Sequence, residues 1–191
     1  PIRELVEHHP NVHFHLYSGN AEDVMERLDK GLLDFGLFIE PYDVTKYHSL
    51  RLPLLDRWGV LMRRDSPLAA HKAIRAEALW QLPLICSRQA MTGGQLANWL
   101  QIDPERLDLV GTYNLLFNAS ILVEAGVGYA LCLEGIVDTT GKTELCFRPL
   151  DPPLTASVDV VWKKQQVFSR PSEWFLARLR ERLAMSLGSP R

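Results

Sequence analysis

The sequence predicts an α/β fold made of two Rossmann-like lobes with mostly parallel sheets, joined by two crossover strands. Helical and strand-like hydrophobic patterns alternate from the first residues onward, which is the order expected of helices that cover an open sheet. Two stretches rich in polar and turn-forming residues, 86–94 and 150–156, interrupt these patterns and are predicted to be chain crossings. Lobes joined by two crossings form a cleft that can close on a ligand like a hinge.

The two crossings set the expected domain boundaries. Residues 1–87 and 156–191 would form an outer lobe, and residues 88–155 would form an inserted lobe. A chain of 191 residues with 47% hydrophobic and 23% charged residues can bury a sizeable core, so disorder is not expected.

The N-terminal segments carry clear periodicity. Apolar residues recur at helical spacing over residues 2–9, after which the period changes to two and predicts a strand at residues 12–17. Asn20 can cap a second helix, which Gly31 ends. The apolar run at residues 35–39 has no alternation, which is typical of a parallel strand covered on both faces.

The remaining segments continue the pattern of strands and helices. Further strands are predicted at residues 58–62, 84–86, 109–111, 128–133, 145–147 and 158–162. Further helices are predicted at residues 74–80, 94–100, 118–125 and 172–187.

The charge of the chain argues against direct binding to nucleic acid. The 21 Lys and Arg residues and the 23 Asp and Glu residues give a formal net charge of -2, so no overall positive field attracts a phosphate backbone. The densest basic group, Arg178, Arg180 and Arg182, is interleaved with apolar residues and fits the solvated side of an amphipathic helix.

The three cysteines favour a reducing compartment. Cys86, Cys132 and Cys146 lie in apolar, strand-like stretches without CxxC spacing, as expected of small core residues in the cytoplasm. No apolar run approaches the roughly 18 residues of a membrane span, and the start of the chain lacks the pattern of a signal peptide. We therefore expect a cytoplasmic protein without a membrane partner.

Several motifs occur in the order found in one known family. The first group comprises His9-Pro10-Asn11-Val12, Ser18-Gly19-Asn20 and Leu28-Asp29-Lys30-Gly31-Leu32-Leu33-Asp34-Phe35-Gly36. The later motifs are Leu52-Pro53-Leu54-Leu55, Asp65-Ser66-Pro67-Leu68-Ala69, Val123-Glu124-Ala125-Gly126-Val127-Gly128-Tyr129-Ala130 and Phe168-Ser169-Arg170-Pro171. Together they cover almost the whole chain and resemble the effector-binding domain of LysR-type transcriptional regulators.

The resemblance implies a periplasmic-binding-protein-like fold of type 2 that binds a small effector between its lobes. In that family a winged helix-turn-helix and a linker helix precede the domain, so this chain would contact DNA only through an N-terminal domain that it lacks. The family also implies a homodimer or homotetramer, in which the first helix commonly helps to pair two domains. Such domains normally have a strand and a Ser- or Thr-rich turn before that helix, whereas this sequence starts within it.

Candidate ligand-binding residues follow the predicted strands, because ligands of open α/β sheets bind beyond the carboxyl ends of the strands. Ser18, Gly19 and Asn20 follow the first strand, and Asn20 could contact a ligand, act only as a helix cap, or do both. Ser87 and Arg88 follow residues 84–86 at the expected crossing. Arg88 could hold a carboxylate through two parallel hydrogen bonds or be an exposed loop arginine.

The inserted lobe supplies the other candidates. Asn114 resembles the family position at which a polar group faces the effector, and Phe117 and Asn118 follow at a helix start, although Phe117 could instead belong to the core. Leu133 and Glu134 end a predicted strand. Glu134 would either repel an anionic effector and favour a cationic or hydroxylated one, or point to solvent.

No cofactor, metal ion or catalytic residue is predicted. His8, His9, His13 and His15 form a metal-like cluster, but surface positions or a subunit contact explain them better. No Gly-x-Ser-x-Gly or HExxH motif is present. The leading hypothesis is a domain that senses a small metabolite, such as an organic acid, for a regulator. The alternatives are a solute-binding protein of a membrane transporter and a small hydrolase or transferase.

Overall fold

Helices and strands follow one another along most of the computed structural model, which describes residues 1–40, 42–43, 45–91 and 94–188. The helices are α1 (Ile2–His8), α2 (Ala21–Asp29), α3 (Arg88–Met91), α4 (Gln95–Trp99), α5 (Leu116–Glu124) and α6 (Arg170–Gly188). The strands are β1 (Gly36–Ile39), β2 (Tyr47–Arg63), β3 (Leu84–Ser87), β4 (Leu109–Tyr113), β5 (Tyr129–Leu133), β6 (Leu145–Pro149) and β7 (Thr155–Lys163). Short 3-10 turns lie at Pro67–Ala70, Ala76–Leu79 and Pro104–Arg106.

The chain divides into two compact units. Unit 1 contains Pro1–Leu54 and the chain from Ser157 onward. Its strands follow the order β1, β7, β2, and β1 pairs antiparallel with β7, with Gly36 opposite Val161. Leu28 of α2 packs with Phe38, Tyr47 and Val161 in its core. Glu4 of α1 accepts hydrogen bonds from Arg178 and Arg182, which fastens α1 to α6.

Unit 2 spans Leu55–Ala156 and holds a five-stranded sheet in the order β6, β2, β5, β3, β4. β3 runs parallel to β4 and β5, whereas β2 runs antiparallel to β5 and β6. Alternate residues of these strands enter different apolar clusters. One contains Val60, Leu84 and Leu131, and the other contains Leu61 and Ile85. The central strands β3 and β5 are buried on both faces, which explains why they read as continuous apolar runs.

The α/β class is confirmed, but the strand directions are mixed rather than mostly parallel. Only the β3, β4 and β5 group of unit 2 has the expected parallel pairing. The run at residues 35–39 forms β1, an antiparallel strand whose Leu37 is 69% exposed, so the prediction of a strand covered on both faces is wrong there.

The boundary between the units differs from the expected one at its first crossing. The units divide at Leu54 and Leu55, within β2, rather than at residues 86–94, of which residues 92–93 lie outside the described part of the chain. Pro53 and nearby charged residues hid the length of β2 in the sequence, so only residues 58–62 were predicted. The chain returns through β7, which begins inside the predicted crossing at residues 150–156.

Two predicted elements do not form as expected. Residues 12–17 form no strand, because no described segment supplies a hydrogen-bonded partner, and Phe14 and Leu16 are exposed. The helix predicted at residues 74–80 shortens to the turn at Ala76–Leu79. Among the described residues, no helix combines the length and the apolar character that crossing a membrane requires.

Gly59 lies where β2 and β6 of unit 2 approach each other closely. It lies opposite Pro149 of β6, and a Cβ atom placed on it would be 2.1 Å from the Phe147 ring and 2.4 Å from the carbonyl oxygen of Arg148. Both distances are far below van der Waals contact. Only glycine therefore allows β6 to lie this close to β2.

Candidate functional site

The carboxyl ends of β3, β4 and β5 lie side by side in unit 2. Ser87, the last residue of β3, is opposite Tyr113, the last residue of β4. On the other side of β3, Cys86 is opposite Leu131 of β5. Residues that follow these strands therefore share one edge of the sheet, which we call the carboxyl edge. This is where open α/β sheets bind ligands.

Ser87 and Arg88 occupy the centre of the carboxyl edge. Ser87 is half-buried at the end of β3, and Arg88 is exposed at the start of α3. The sequence predicted that these two residues lie at a crossing between the units. They do not, because β3 lies between β4 and β5 inside unit 2.

Asn114, Phe117 and Asn118 follow β4. Asn114 and Asn118 are exposed, and Phe117 is 71% exposed in the first turn of α5, so the interpretation of Phe117 as a core residue is wrong. The residue before α5, Leu115, provides no side-chain cap. The first backbone N–H groups of α5 therefore lack the side-chain acceptor that usually satisfies such groups.

Leu133 and Glu134 end β5, but only Glu134 is available to a ligand. Leu133 is buried. Glu134 binds Arg57 through two hydrogen bonds, from Nε to Oε2 at 2.7 Å and from Nη2 to Oε1 at 2.9 Å. The sequence left two interpretations of Glu134, a carboxylate that repels anions and a carboxylate that points to solvent. The structure shows a partly exposed carboxylate whose charge is balanced by Arg57.

Sequence reasoning missed Arg57. Trp58 pairs with Leu133 in the antiparallel β2 and β5 ladder, and the Glu134 N–H donates to the Arg57 carbonyl at 2.9 Å. This register brings Arg57 to the carboxyl edge from a distant part of the chain. The hydrogen bonds from Arg57 to Glu134 raise the pKa of the Arg57 guanidinium above its ordinary value. Only knowledge of the β2 and β5 pairing would have revealed this partner.

The turn of Ser18, Gly19 and Asn20 belongs to unit 1. Asn20 caps α2, since its Oδ1 accepts the Asp23 N–H at 2.9 Å, as predicted. Ser18 is exposed. The Arg27 guanidinium lies 4.0 Å from the centre of the Tyr17 ring. A Cβ atom on Gly19 would lie 2.9 Å from that ring, so a larger residue at this position would have to displace Tyr17.

His8 and His9 pack against an aromatic side chain, and Cys86 and Cys132 are buried. His8 and His9 contact the Trp174 ring of α6 at centroid distances of 5.8 and 5.5 Å. No group of three or more His, Cys, Asp or Glu side chains within the described ranges could hold a metal ion. Burial raises the pKa of the Cys86 and Cys132 thiols to about 12, which keeps both protonated and weakly nucleophilic at neutral pH.

Comparison with known proteins identifies the family. The model of the LysR substrate binding domain matches residues 2–184. The chain belongs to this family. The range matched by the LysR substrate binding domain includes most of both units and the strands that form the carboxyl edge.

Two curated relatives of this LysR domain are transcriptional regulators. It is 30% identical over 146 residues to the HTH-type transcriptional activator CmpR of Synechocystis, covering 71% of this chain and 46% of CmpR. It is 25% identical over 182 residues to the uncharacterized HTH-type transcriptional regulator YvbU of Bacillus subtilis, covering 94% of this chain and 61% of YvbU. The chain thus spans less than two thirds of each relative.

A solved structure of the same fold is the regulatory domain of Synechocystis CcmR, determined in complex with 2-PG. It has a TM-score of 0.76 and 20% sequence identity, and the match covers 95% of this chain and 88% of that domain. At this level of identity the likeness establishes the fold and not the ligand.

Proposed function

We propose that this LysR substrate-binding domain senses a small metabolite for a transcriptional regulator, and that an organic acid is the effector. The observation that carries the proposal is the carboxyl edge of unit 2, where Ser87 and Arg88 at the end of β3 lie beside the end of β4, which Asn114 follows. Hydroxyl, guanidinium and amide groups are suited to binding carboxylate and hydroxyl oxygens.

The balance of charge at this edge supports an anionic effector. The carboxylate of Glu134 is already held by Arg57, so these two charges offset each other, and Arg88 brings a further guanidinium to this edge. The uncapped N-terminus of α5 adds partial positive charge. We further propose that Ser18, Gly19 and Asn20 of unit 1 take part in effector binding, as the family resemblance implies.

Oligomer formation is the second part of the proposal. Exposed apolar residues occur on α1 (Ile2 and Val6) and on α5 (Phe117, Ile121 and Leu122). We propose that they pair with a second copy of the chain in a homodimer or homotetramer, which in the whole regulator would couple effector binding to the DNA-binding domain. Sedimentation of the Val6→Glu and Ile121→Glu variants tests this, with monomers expected and an unchanged oligomer contradicting it.

Thermal unfolding in the presence of a panel of organic acids tests effector binding. A ligand present at 100 times its dissociation constant adds about 2.7 kcal/mol to the free energy of unfolding. The Arg88→Gln variant should weaken binding of the acid roughly tenfold, the contribution of one charge-assisted hydrogen bond. Arg106→Gln, which removes an exposed arginine elsewhere in unit 2, should not. Absence of any shift with the whole panel would overturn the preference for an acid.

The same samples separate the remaining alternatives. A regulator domain leaves its ligand unchanged after prolonged incubation, whereas a hydrolase or transferase converts it. The regulators among its relatives favour this function over that of a transporter's solute-binding protein. A regulator that acts on DNA would work in the cytoplasm, the compartment expected from the cysteine pattern.

A further inference from the structure

We infer that unit 2 contains a second ligand site, a binding site for a small oxyanion at the end of the sheet opposite the carboxyl edge. A depression of about 330 Å³ lies there, lined by Arg64, Ser66, Pro67, Ala69, Cys146 and Arg148, among others. We call it the Arg64–Arg148 depression. Its volume is at the lower end of the range for small-molecule sites, which suits a phosphate, a sulfate or a small carboxylate.

The position of this depression separates it from the proposed effector site. In the ladder of β2 with β5, Trp58 of β2 is opposite Leu133 at the carboxyl edge. In the ladder of β2 with β6, Arg63 at the other end of β2 is opposite Leu145. Arg64 and Ser66 follow that second end. Arg148 lies farther back, opposite Val60, but no residue that lines the depression belongs to the carboxyl edge, so each site can be altered separately.

Neither guanidinium group of the Arg64–Arg148 depression forms an ion pair with a carboxylate among the residues that the structure describes. Arg64 donates from Nε to the Thr143 carbonyl at 2.7 Å and from Nη2 to the Thr139 carbonyl at 2.6 Å. Arg148 donates from Nε to the carbonyls of Ala69 and His71, and from Nη2 to that of Ala69 at 2.7 Å. Its Nη1 donates to the Phe147 carbonyl at 2.9 Å. Neutral carbonyls orient these groups but leave both formal charges in place.

Other arginines of unit 2 are arranged differently. Arg57, Arg63 and Arg75 each pair with a carboxylate, namely Glu134, Asp65 and Asp151. Asp65 is the acidic residue next to Arg64 in the sequence, and Arg63 already holds it at 2.6 Å. No acidic side chain lines the depression in the described part of unit 2. Arg64 and Arg148 differ from these three arginines because their hydrogen-bond partners among the described residues are backbone carbonyls.

The remaining donors favour an anion over a cation or a neutral ligand. A guanidinium has five N–H donors and no acceptor, and the Nη1 of Arg64 has no hydrogen-bond acceptor among the described residues. The Ser66 hydroxyl lies 3.1 Å from the Tyr129 hydroxyl and accepts the Leu68 N–H, so it has its own hydrogen free to donate when Tyr129 donates to it. Donors fixed before binding lose little conformational freedom when the anion arrives.

Calorimetric titration of the chain with inorganic phosphate, at an ionic strength held constant with sodium chloride, tests this site. We expect saturable binding, weakened roughly tenfold in Arg64→Gln and unchanged in Arg106→Gln, which removes the same charge elsewhere in unit 2. Parallel titrations with sulfate and with malonate distinguish a site for tetrahedral anions from a site for carboxylates. Absence of saturation with all three anions, or equal weakening in both variants, would overturn the inference.

Two further variants keep the result decisive. Arg64 also holds two loop carbonyls, so if Arg64→Gln does not fold, Ser66→Ala provides the comparison, with phosphate binding expected to weaken severalfold. Asn114→Ala at the carboxyl edge should leave phosphate binding unchanged. Loss of phosphate binding in Asn114→Ala would place the anion in the proposed effector site instead and contradict a second site.

Discussion

The carboxylate of Asp159 on β7 is held by the guanidinium of Arg51 on β2, with Nε 2.5 Å from Oδ1 and Nη2 3.2 Å from Oδ2. The Tyr42 hydroxyl donates to the same carboxylate at 2.5 Å. The Asp159 side chain is only 4% exposed, whereas Arg51 reaches solvent and also contacts Glu40. A buried carboxylate with three hydrogen bonds is therefore an anchor of unit 1.

Replacing Asp159 with asparagine should destabilise the protein by about 1–3 kcal/mol, because charge-assisted hydrogen bonds become neutral ones. Burial raises the pKa of Asp159, but the hydrogen bonds from Arg51 and Tyr42 outweigh it and leave the pKa below its ordinary value of 3.8. The stabilisation is thus fully present above pH 3.8 and is lost as the pH falls through the lower folded pKa.

Urea unfolding of the wild-type chain and Asp159→Asn at several pH values measures this difference. Asp108→Asn, which changes an exposed aspartate, serves as the control. A wild-type advantage that stayed constant down to the lowest pH tested would contradict the assignment to an ionised Asp159.

Removing the charge of Glu134 should improve the binding of an anionic effector. In Glu134→Gln the guanidinium of Arg57 loses its carboxylate partner, so the positive charge at the carboxyl edge increases. We expect severalfold tighter binding of an organic acid and little change in Tm, since both partners are partly exposed. Calorimetry with an acid identified in the thermal screen gives the affinity, and weaker binding in Glu134→Gln would show that Glu134 itself contacts the ligand.

Asn20 allows its two possible roles to be separated. Asn20→Ala removes the acceptor for the Asp23 N–H and should cost about 1 kcal/mol of stability. Asn20→Ser keeps a capping oxygen and should retain most of that stability. If Asn20 also binds the effector, both variants should lose affinity because both lack the amide. Full affinity in Asn20→Ser would leave the residue with the capping role alone.

The thiols of Cys86 and Cys132 should resist modification in the folded chain. With pKa values near 12, only a minute fraction of either group is thiolate at pH 8, and both are buried. Ellman's reagent should therefore label them only as the chain unfolds, with reaction in guanidinium chloride as the reference. Rapid labelling under native conditions would indicate that the β3 and β5 region opens readily.

The sequence predicted what depends on local pattern. The apolar runs of β3, β4 and β5 and the positions of α2, α5 and α6 follow from periodicity and capping, so the residues that end these strands were found in advance. The cap formed by Asn20 was confirmed for the same reason.

Features that depend on long-range pairing were missed. Arg57 meets Glu134 across 77 positions and Arg51 meets Asp159 across 108, and neither partner is evident before the strand register is known. The length of β2 was hidden by its charged residues and Pro53, since its first half does not read as a continuous apolar run. Residues 12–17 show the reverse error, because alternation alone does not make a strand without a neighbour to pair with.

The close packing of Gly59 on β6 helps to position Arg148, which lines the Arg64–Arg148 depression. Because any side chain there would collide with the backbone carbonyl of Arg148, even alanine would push outward the segment that bears that guanidinium. In a saturation-mutagenesis library selected for folding, only glycine codons should survive at position 59. A library selected for phosphate binding should impose the same restriction, although Gly59 itself supplies no atom to the anion.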